Sequence, residues 1–198
     1  MQPIILASAS PQRKELIKEL VGNNFKIIKS NHIEKHQKNI SPNDLVKYHS
    51  SKKAHKVASK LKKGIVIAAD TMVFCNGKML GKPKNRKDAK SMLLLQSNKI
   101  VKVITAITLI DVKNKKEITD TETTKVKIAK ITEKQIKEYL DSNEGFDKAG
   151  GFAVQGKGSF FIQKIEGDYF NVVGLPLYKL SQMLQKLGIT IKEYKQKR

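Results

Sequence analysis

The 198-residue sequence has a single cysteine, no tryptophan and only three arginines, Arg13, Arg86 and Arg198, and each shortage excludes something. With Cys75 alone, no disulfide can form within the chain, and a reducing compartment is the natural setting for its thiol. The run Met72–Cys75 around it reads as strand, so Cys75 is expected to be a half-buried strand residue rather than a nucleophile. No apolar run approaches the ~20 residues that span a bilayer. Ile4–Ala7 breaks at once into Ser-Ala-Ser-Pro, which is not the basic region and long apolar core of a secretory signal. A cytoplasmic location with no membrane partner is the expectation. There is also no Walker lysine loop, no G-x-S-x-G elbow, no dinucleotide fingerprint and no visible partner set for a nucleophilic serine.

Acidic residues are scarce beside basic ones, 18 against 39, giving a formal net charge of +21. Such an excess attracts polyanions, because clustered cations release counterions when they meet phosphate. Nucleic acid is nonetheless the weaker reading. The arginine fork that reads base edges is nearly missing, aromatic stacking residues are few, and the lysines are spread over the whole chain. The only dense terminal cluster is Lys192–Arg198. A solvated lysine surface that also draws in nucleotide phosphates fits better.

The hydrophobic fraction is low at 39%, yet it is gathered into compact runs, which argues against disorder. The length suits one domain, residues 1–198, with two lobes around a cleft. The opening reads strand, turn, helix: Pro3–Ala7 is apolar, Ser8–Pro11 is turn-prone, and Gln12–Leu20 carries Leu16, Ile17 and Leu20 at helical spacing, with Ser10 as cap. Phe25–Lys29 predicts a second strand and Ser41–Asp44 the start of a second helix. Gly64–Ala69 predicts a buried strand that ends at Asp70, and Asn76-Gly77 a hairpin turn between Met72–Cys75 and Lys78–Leu80. Asn85 and Asp88 open a helix to about Leu95. Lys99–Ile110 and Glu117–Ile128 should pair as strands, and Thr132 with Gln135 forms a capping box. A glycine-rich loop at Gly145–Gly158, a strand at Phe160–Ile165 and a helix at Leu177–Leu187 complete the chain. Strands mixed with helices, hairpins included, give an α/β class with a mixed sheet.

Several residues could carry chemistry. Between Ser8 and Arg13 a buried strand passes into a helix through small residues, so N–H groups converge at the positive end of a helix, where Arg13 could fork onto phosphate. A solvated turn is the alternative. Asp70 follows an apolar strand and could hold a divalent cation or orient a water, or else cap the next turn through Thr71. Glu34 sits in a polar loop and matters only if something folds beside it. Lys82 is fixed by Pro83 and could neutralise a polyphosphate, although it and Lys53 are two lysines among 36. Gln155 lies inside the glycine-rich loop, where an amide can bond a base edge or simply be exposed. His32 and His36 are four apart in a polar loop, a weak zinc signal.

Together these segments resemble the Maf family. The matching stretches are LASASPQRKEL at Leu6–Leu16, Lys53-Ala54, AADTMV at Ala68–Val73, GKP at Gly81–Pro83, and FDKAGGFAVQGKG with IEGDYFNVVGLPL at Phe146–Gly158 and Ile165–Leu177. They stand in family order across almost the whole chain. The resemblance implies an inosine-triphosphatase-like fold, a twisted mixed β-sheet flanked by helices. It also implies a house-cleaning hydrolase that splits a nucleoside triphosphate into its monophosphate and pyrophosphate. Ser8, Arg13, Lys53 and Lys82 would hold the triphosphate, with Glu34 and Asp70 near a magnesium or manganese ion and Asp70 positioning the attacking water. Thr71 with Gln155 resembles the subgroup acting on dTTP and UTP. Gln12 stands where the family usually has a second arginine, and Asn98 and Val101 where it usually has glycine and histidine. A homodimer stays open. The alternative is a non-enzymatic basic regulator linked to septum formation or nucleic acid.

Overall fold

A computed structural model of the chain describes residues 2–34 and 40–195. Its elements begin with β1 (Ile4–Leu6), α1 (Pro11–Val21), β2 (Phe25–Ile27) and α2 (Pro42–Ala58). Then come β3 (Ile65–Cys75), β4 (Lys78–Leu80), α3 (Arg86–Gln96), β5 (Ile100–Asp111), β6 (Lys116–Ile128) and α4 (Glu133–Asp141). Two short 3-10 turns, Ala149–Gly151 and Gly156–Phe161, lead to β7 (Ile162–Glu166), α5 (Tyr169–Val173), α6 (Leu177–Lys186) and α7 (Lys192–Lys195). The strands make a mixed sheet in the order β2-β1-β3-β5-β6-β7, with β4 paired to β3. β1 runs parallel to β2 and β3, while β4 runs antiparallel to β3 and β7 to β6. The expected α/β class and mixed sheet are what the chain forms.

The backbone divides into two compact units. The first comprises residues 1–70, 105–122 and 174–198, the second residues 71–104 and 123–173. Each has its own apolar core. In the first, Ile5, Ala7, Val66, Ala68 and Ile110 pack with Ala54 and Val57 of α2. Gly64 is needed here: at φ +127 it lies so close to β1 that an added Cβ would fall 2.4 Å from Ile5 Cδ1. In the second, Val73, Leu93, Val101, Val126, Ile136, Tyr139 and Phe161 form the centre. The side chains of Gln2 and Asp111 close the first unit's sheet, Gln2 Nε2 donating to Asp111 Oδ1 at 2.9 Å.

Local signals explain most element ends. Ser10 Oγ accepts from Arg13 N–H, Ser41 Oγ from Asp44 N–H and Asn85 Oδ1 from Asp88 N–H, with proline at the first position of α1 and α2. Thr132 and Gln135 satisfy one another's backbone donors as a capping box on α4. Asn76 and Gly77 both take positive φ, 48° and 76°, as a two-residue hairpin turn requires.

Three expectations need correction. β3 does not end at Asp70 but runs on to Cys75, because its far half pairs with β4 and Asp70 finds its partner in Lys53 rather than in a turn. Cys75 is fully buried, not half-buried, with Sγ 3.7 Å from Leu95 O. Phe160 and Phe161 belong to a 3-10 turn, so β7 starts only at Ile162. The five-residue α5 was too short for any periodicity to announce; Asp168 Oδ1 starts it by accepting from Phe170 and Asn171 N–H at 2.7 and 3.2 Å.

Candidate active site

In the first unit, four elements aim charged groups at one place. Lys53 lies on the fourth turn of α2, on its buried side, and Asp70 stands at the last residue of β3 that this unit contains. Lys53 Nζ donates to Asp70 Oδ1 at 2.5 Å and meets Glu34 Oε1 at 2.6 Å. One ammonium thus joins a buried acid to one from the Ser30–Glu34 segment, whose own carboxylate stays about half exposed. Lys53 and Asp70 are both buried residues. Burial raises the Asp70 pKa and Glu34 adds to the rise, while Lys53 and Arg13 pull it down without cancelling it.

Arg13 closes the group from α1. Its Nε donates to Gly174 O and its Nη1 to Ala69 O, each at 2.8 Å, so the fork fixes the carbonyl next to Asp70. The stem of Arg13 is partly exposed but its head is deep. Desolvation lowers its pKa, and the nearby carboxylates of Asp70 and Glu34 oppose the shift. Ser8 is buried just before α1, with Oγ accepting from Ser10 N–H at 3.2 Å. Ser8, Arg13, Glu34, Lys53 and Asp70 are therefore all in the first unit, and the last four converge.

A histidine pair flanks this cluster and was not foreseen. His32 Nε2 and His49 Nδ1 are 3.0 Å apart. His49 is buried one helical turn before Lys53 on α2, and His32 is two residues from Glu34. Burial lowers the His32 pKa, and His49 and Lys53 lower it further. Helical spacing alone could have singled out His49, but nothing local identifies its partner. The other half of the His32/His36 zinc signal, His36, lies outside the described residues.

In the second unit, Thr71 continues β3 half-buried, Lys82 is exposed beside buried Pro83, and Gln155 is exposed in the glycine-rich loop. Gly150 N–H donates to Gly81 O at 2.9 Å, which ties that loop to the turn bearing Lys82. Gln96, buried on α3, reaches in as well, Nε2 donating to Gly150 O at 2.7 Å.

Among the described residues no three histidine, cysteine, aspartate or glutamate side chains gather as a self-sufficient metal cage. Two carboxylates meeting at one point suit a different ion. Magnesium is commonly held by one or two carboxylates together with substrate phosphate oxygens. Glu34 and Asp70, drawn together by one ammonium, are a donor set of that kind.

The match to known proteins is as extensive as the motifs implied. The model of Maf-like proteins fits residues 3–187. The chain belongs to the Maf family. A dTTP/UTP pyrophosphatase of Methanosarcina barkeri is 50% identical over 98% of both chains. One from Methanococcoides burtonii is 44% identical over 96% of this chain and 98% of its own length. A third, from Bacillus pumilus, is 44% identical over 96% and 99%. The Maf motifs quoted from the sequence contain every candidate residue except Glu34. No helix among the described residues is long and apolar enough to cross a membrane.

Proposed function

We propose that this Maf-family chain hydrolyses dTTP and UTP to the monophosphate and pyrophosphate, with a divalent cation at Glu34 and Asp70. The observation that carries the reading is the Glu34–Lys53–Asp70 group with Arg13 behind it. The names of the relatives support the substrates.

A magnesium or manganese ion, when bound with the nucleotide, would supply Lewis-acid polarisation of the phosphate oxygens. The chain's own groups do the rest. Asp70 orients a water and takes its proton as the oxygen attacks the α-phosphorus. The α–β bridging P–O bond breaks and its electron pair leaves with pyrophosphate. Lys53 and Lys82 stabilise the charge that grows on the transferred and leaving oxygens. Ser8 and Arg13 hold the triphosphate at the start of α1, where helix N–H groups favour anions. Gln155 and Thr71 recognise the pyrimidine. The reducing cytoplasm is the compartment we infer, since Cys75 is the chain's only thiol. We take residues 1–198 as one functional domain.

The test is a panel of dTTP, UTP and dGTP assayed with magnesium, with manganese and with chelator, detecting pyrophosphate separately from phosphate. We expect metal-dependent pyrophosphate release, fastest from the pyrimidine nucleotides. Asp70→Asn and Lys82→Ala should each lower kcat/KM by about a hundredfold or more. Undiminished activity in both variants would sink the site assignment. No turnover of any triphosphate, combined with steeply salt-dependent DNA binding, would favour a non-enzymatic regulator instead.

A further inference from the structure

The glycine-rich loop of the second unit holds Gln155 between two sets of anchors. Two residues before it, Ala153 N–H donates to Tyr139 Oη at 3.0 Å. Burial pushes the Tyr139 pKa up to about 12, so this phenol remains a neutral hydroxyl that can accept the bond. After it, the 3-10 turn Gly156–Phe161 begins, and Gln155 stands at the cap position with extended backbone. A short polar side chain at that position, Ser, Thr, Asp or Asn, can accept from the first N–H groups of a helical turn. Gln155 makes no such cap bond.

The carboxylate of Glu144 does that work from outside. Glu144 Oε1 accepts from Lys157 N–H and Oε2 from Gly158 N–H, each at 3.1 Å. The fit is close. Gly156 has φ +77, and a Cβ built on it would lie 1.8 Å from Glu144 Oε1, so only glycine admits the carboxylate. Glu144 itself is set by its neighbour Gly145, where an added Cβ would meet Gly151 O at 2.2 Å.

We propose that Glu144 is a positioning residue for base selection: by capping the Gly156–Phe161 turn in place of Gln155, it keeps the Gln155 amide available and aimed for the pyrimidine edge. The inference rests on the base-recognising role given to Gln155 above. Nothing in it requires Glu144 to touch substrate. The carboxylate is half-exposed, so water can replace it on the two N–H groups. Its loss therefore changes the aim of Gln155 more than the stability of the fold.

The experiment compares kcat and KM for dTTP and dGTP in the full-length wild type, E144A, E144Q, Q155A and the E144A/Q155A double variant. In E144A the ratio of kcat/KM for dTTP over dGTP should fall about tenfold, through KM for dTTP with kcat nearly unchanged. E144Q keeps one acceptor oxygen and should fall by less; it carries the comparison if E144A fails to fold. In the double variant the ratio should equal that of Q155A alone, since both changes remove one and the same interaction. Equal losses on dTTP and dGTP, or losses that multiply in the double variant, overturn the proposal. An unchanged ratio in Q155A overturns the role of Gln155 itself, and is distinguishable because that variant leaves Glu144 intact.

Discussion

Lys53 and Asp111 show how differently two buried charges can be accommodated. Lys53 is shared between two acids, and the desolvation of Asp70 still outweighs that help, leaving a carboxylate held above its usual pKa. Asp111, at the end of β5, is the opposite case. Its burial would raise the pKa, but donors from Gln2 at 2.9 Å, the Asn114 amide at 2.7 Å, Asn114 N–H at 3.1 Å and Lys113 N–H overcome that and lower it. A carboxylate whose folded pKa lies below its unfolded value of about 3.9 stabilises the fold above that value and stops doing so as pH falls through the folded one. Asp111→Asn should therefore lower the thermal midpoint by a constant amount, worth about 1–2 kcal/mol, from pH 8 to about pH 5. The gap should close in stronger acid, and a gap that widened there would contradict the assignment. Neither environment could be read locally in the sequence. Lys53 is one of 36 lysines, and what distinguishes it is a loop 19 residues upstream and a strand 17 residues downstream; only the family resemblance pointed to it.

Elements were legible where a local cause fixes them. Ser10, Ser41, Asn85 and Thr132 cap helices because a short oxygen beside the first turn has one thing to bond, and Asn76-Gly77 turns a hairpin because both residues tolerate positive φ. Elements decided by distant pairing were less so. β3 passes through Asp70 because its near half pairs with distant β1, which makes the run up to Asp70 and the hairpin strand Met72–Cys75 one strand where the sequence suggested two. The glycine-rich loop is the intermediate case. Its glycines marked it as special, but the reason lies in close approaches: to backbone for Gly145 against Gly151 O and Gly158 against Ala153 O at 2.2 Å, and to a side chain for Gly150 against Val73 Cγ2 at 2.9 Å. Gly145 is not among the positive-φ glycines, so alanine there tests the close approach to Gly151 and Tyr139 without backbone strain. Gly145→Ala should cost about 2–3 kcal/mol, the penalty of overpacking against backbone that cannot step aside, read as a lower denaturant midpoint at unchanged slope. A cost under about 0.5 kcal/mol, the level of an ordinary surface change, would mean that the loop yields.

For the whole molecule the dominant quantity is the net charge of +21, carried almost entirely by lysine. Among the described residues, several lysines make specific bonds of unequal worth. Lys90 with Glu133 and Lys125 with Glu166 are exposed pairs at 3.0 Å, worth little in water, whereas Lys179 is more enclosed, its Nζ donating to Thr121 O at 2.7 Å near Asp120 and Glu122. The remainder add to a positive field that would attract any triphosphate. Long-range attraction of this kind concentrates an anionic substrate and speeds its encounter, and it is screened once the Debye length falls below the distances involved. Bound phosphates, held by partly buried groups, are screened much less. The two contributions separate in kinetics. Raising salt from about 20 mM to about 200 mM should raise KM for dTTP about three- to tenfold, while kcat changes by less than about twofold. Neutralising three or four exposed lysines that make no structural bond should reproduce part of the KM rise at low salt and flatten the salt dependence. If KM were insensitive to salt, the lysine surface would serve solubility alone, and substrate capture would rest entirely on the few cations within the site.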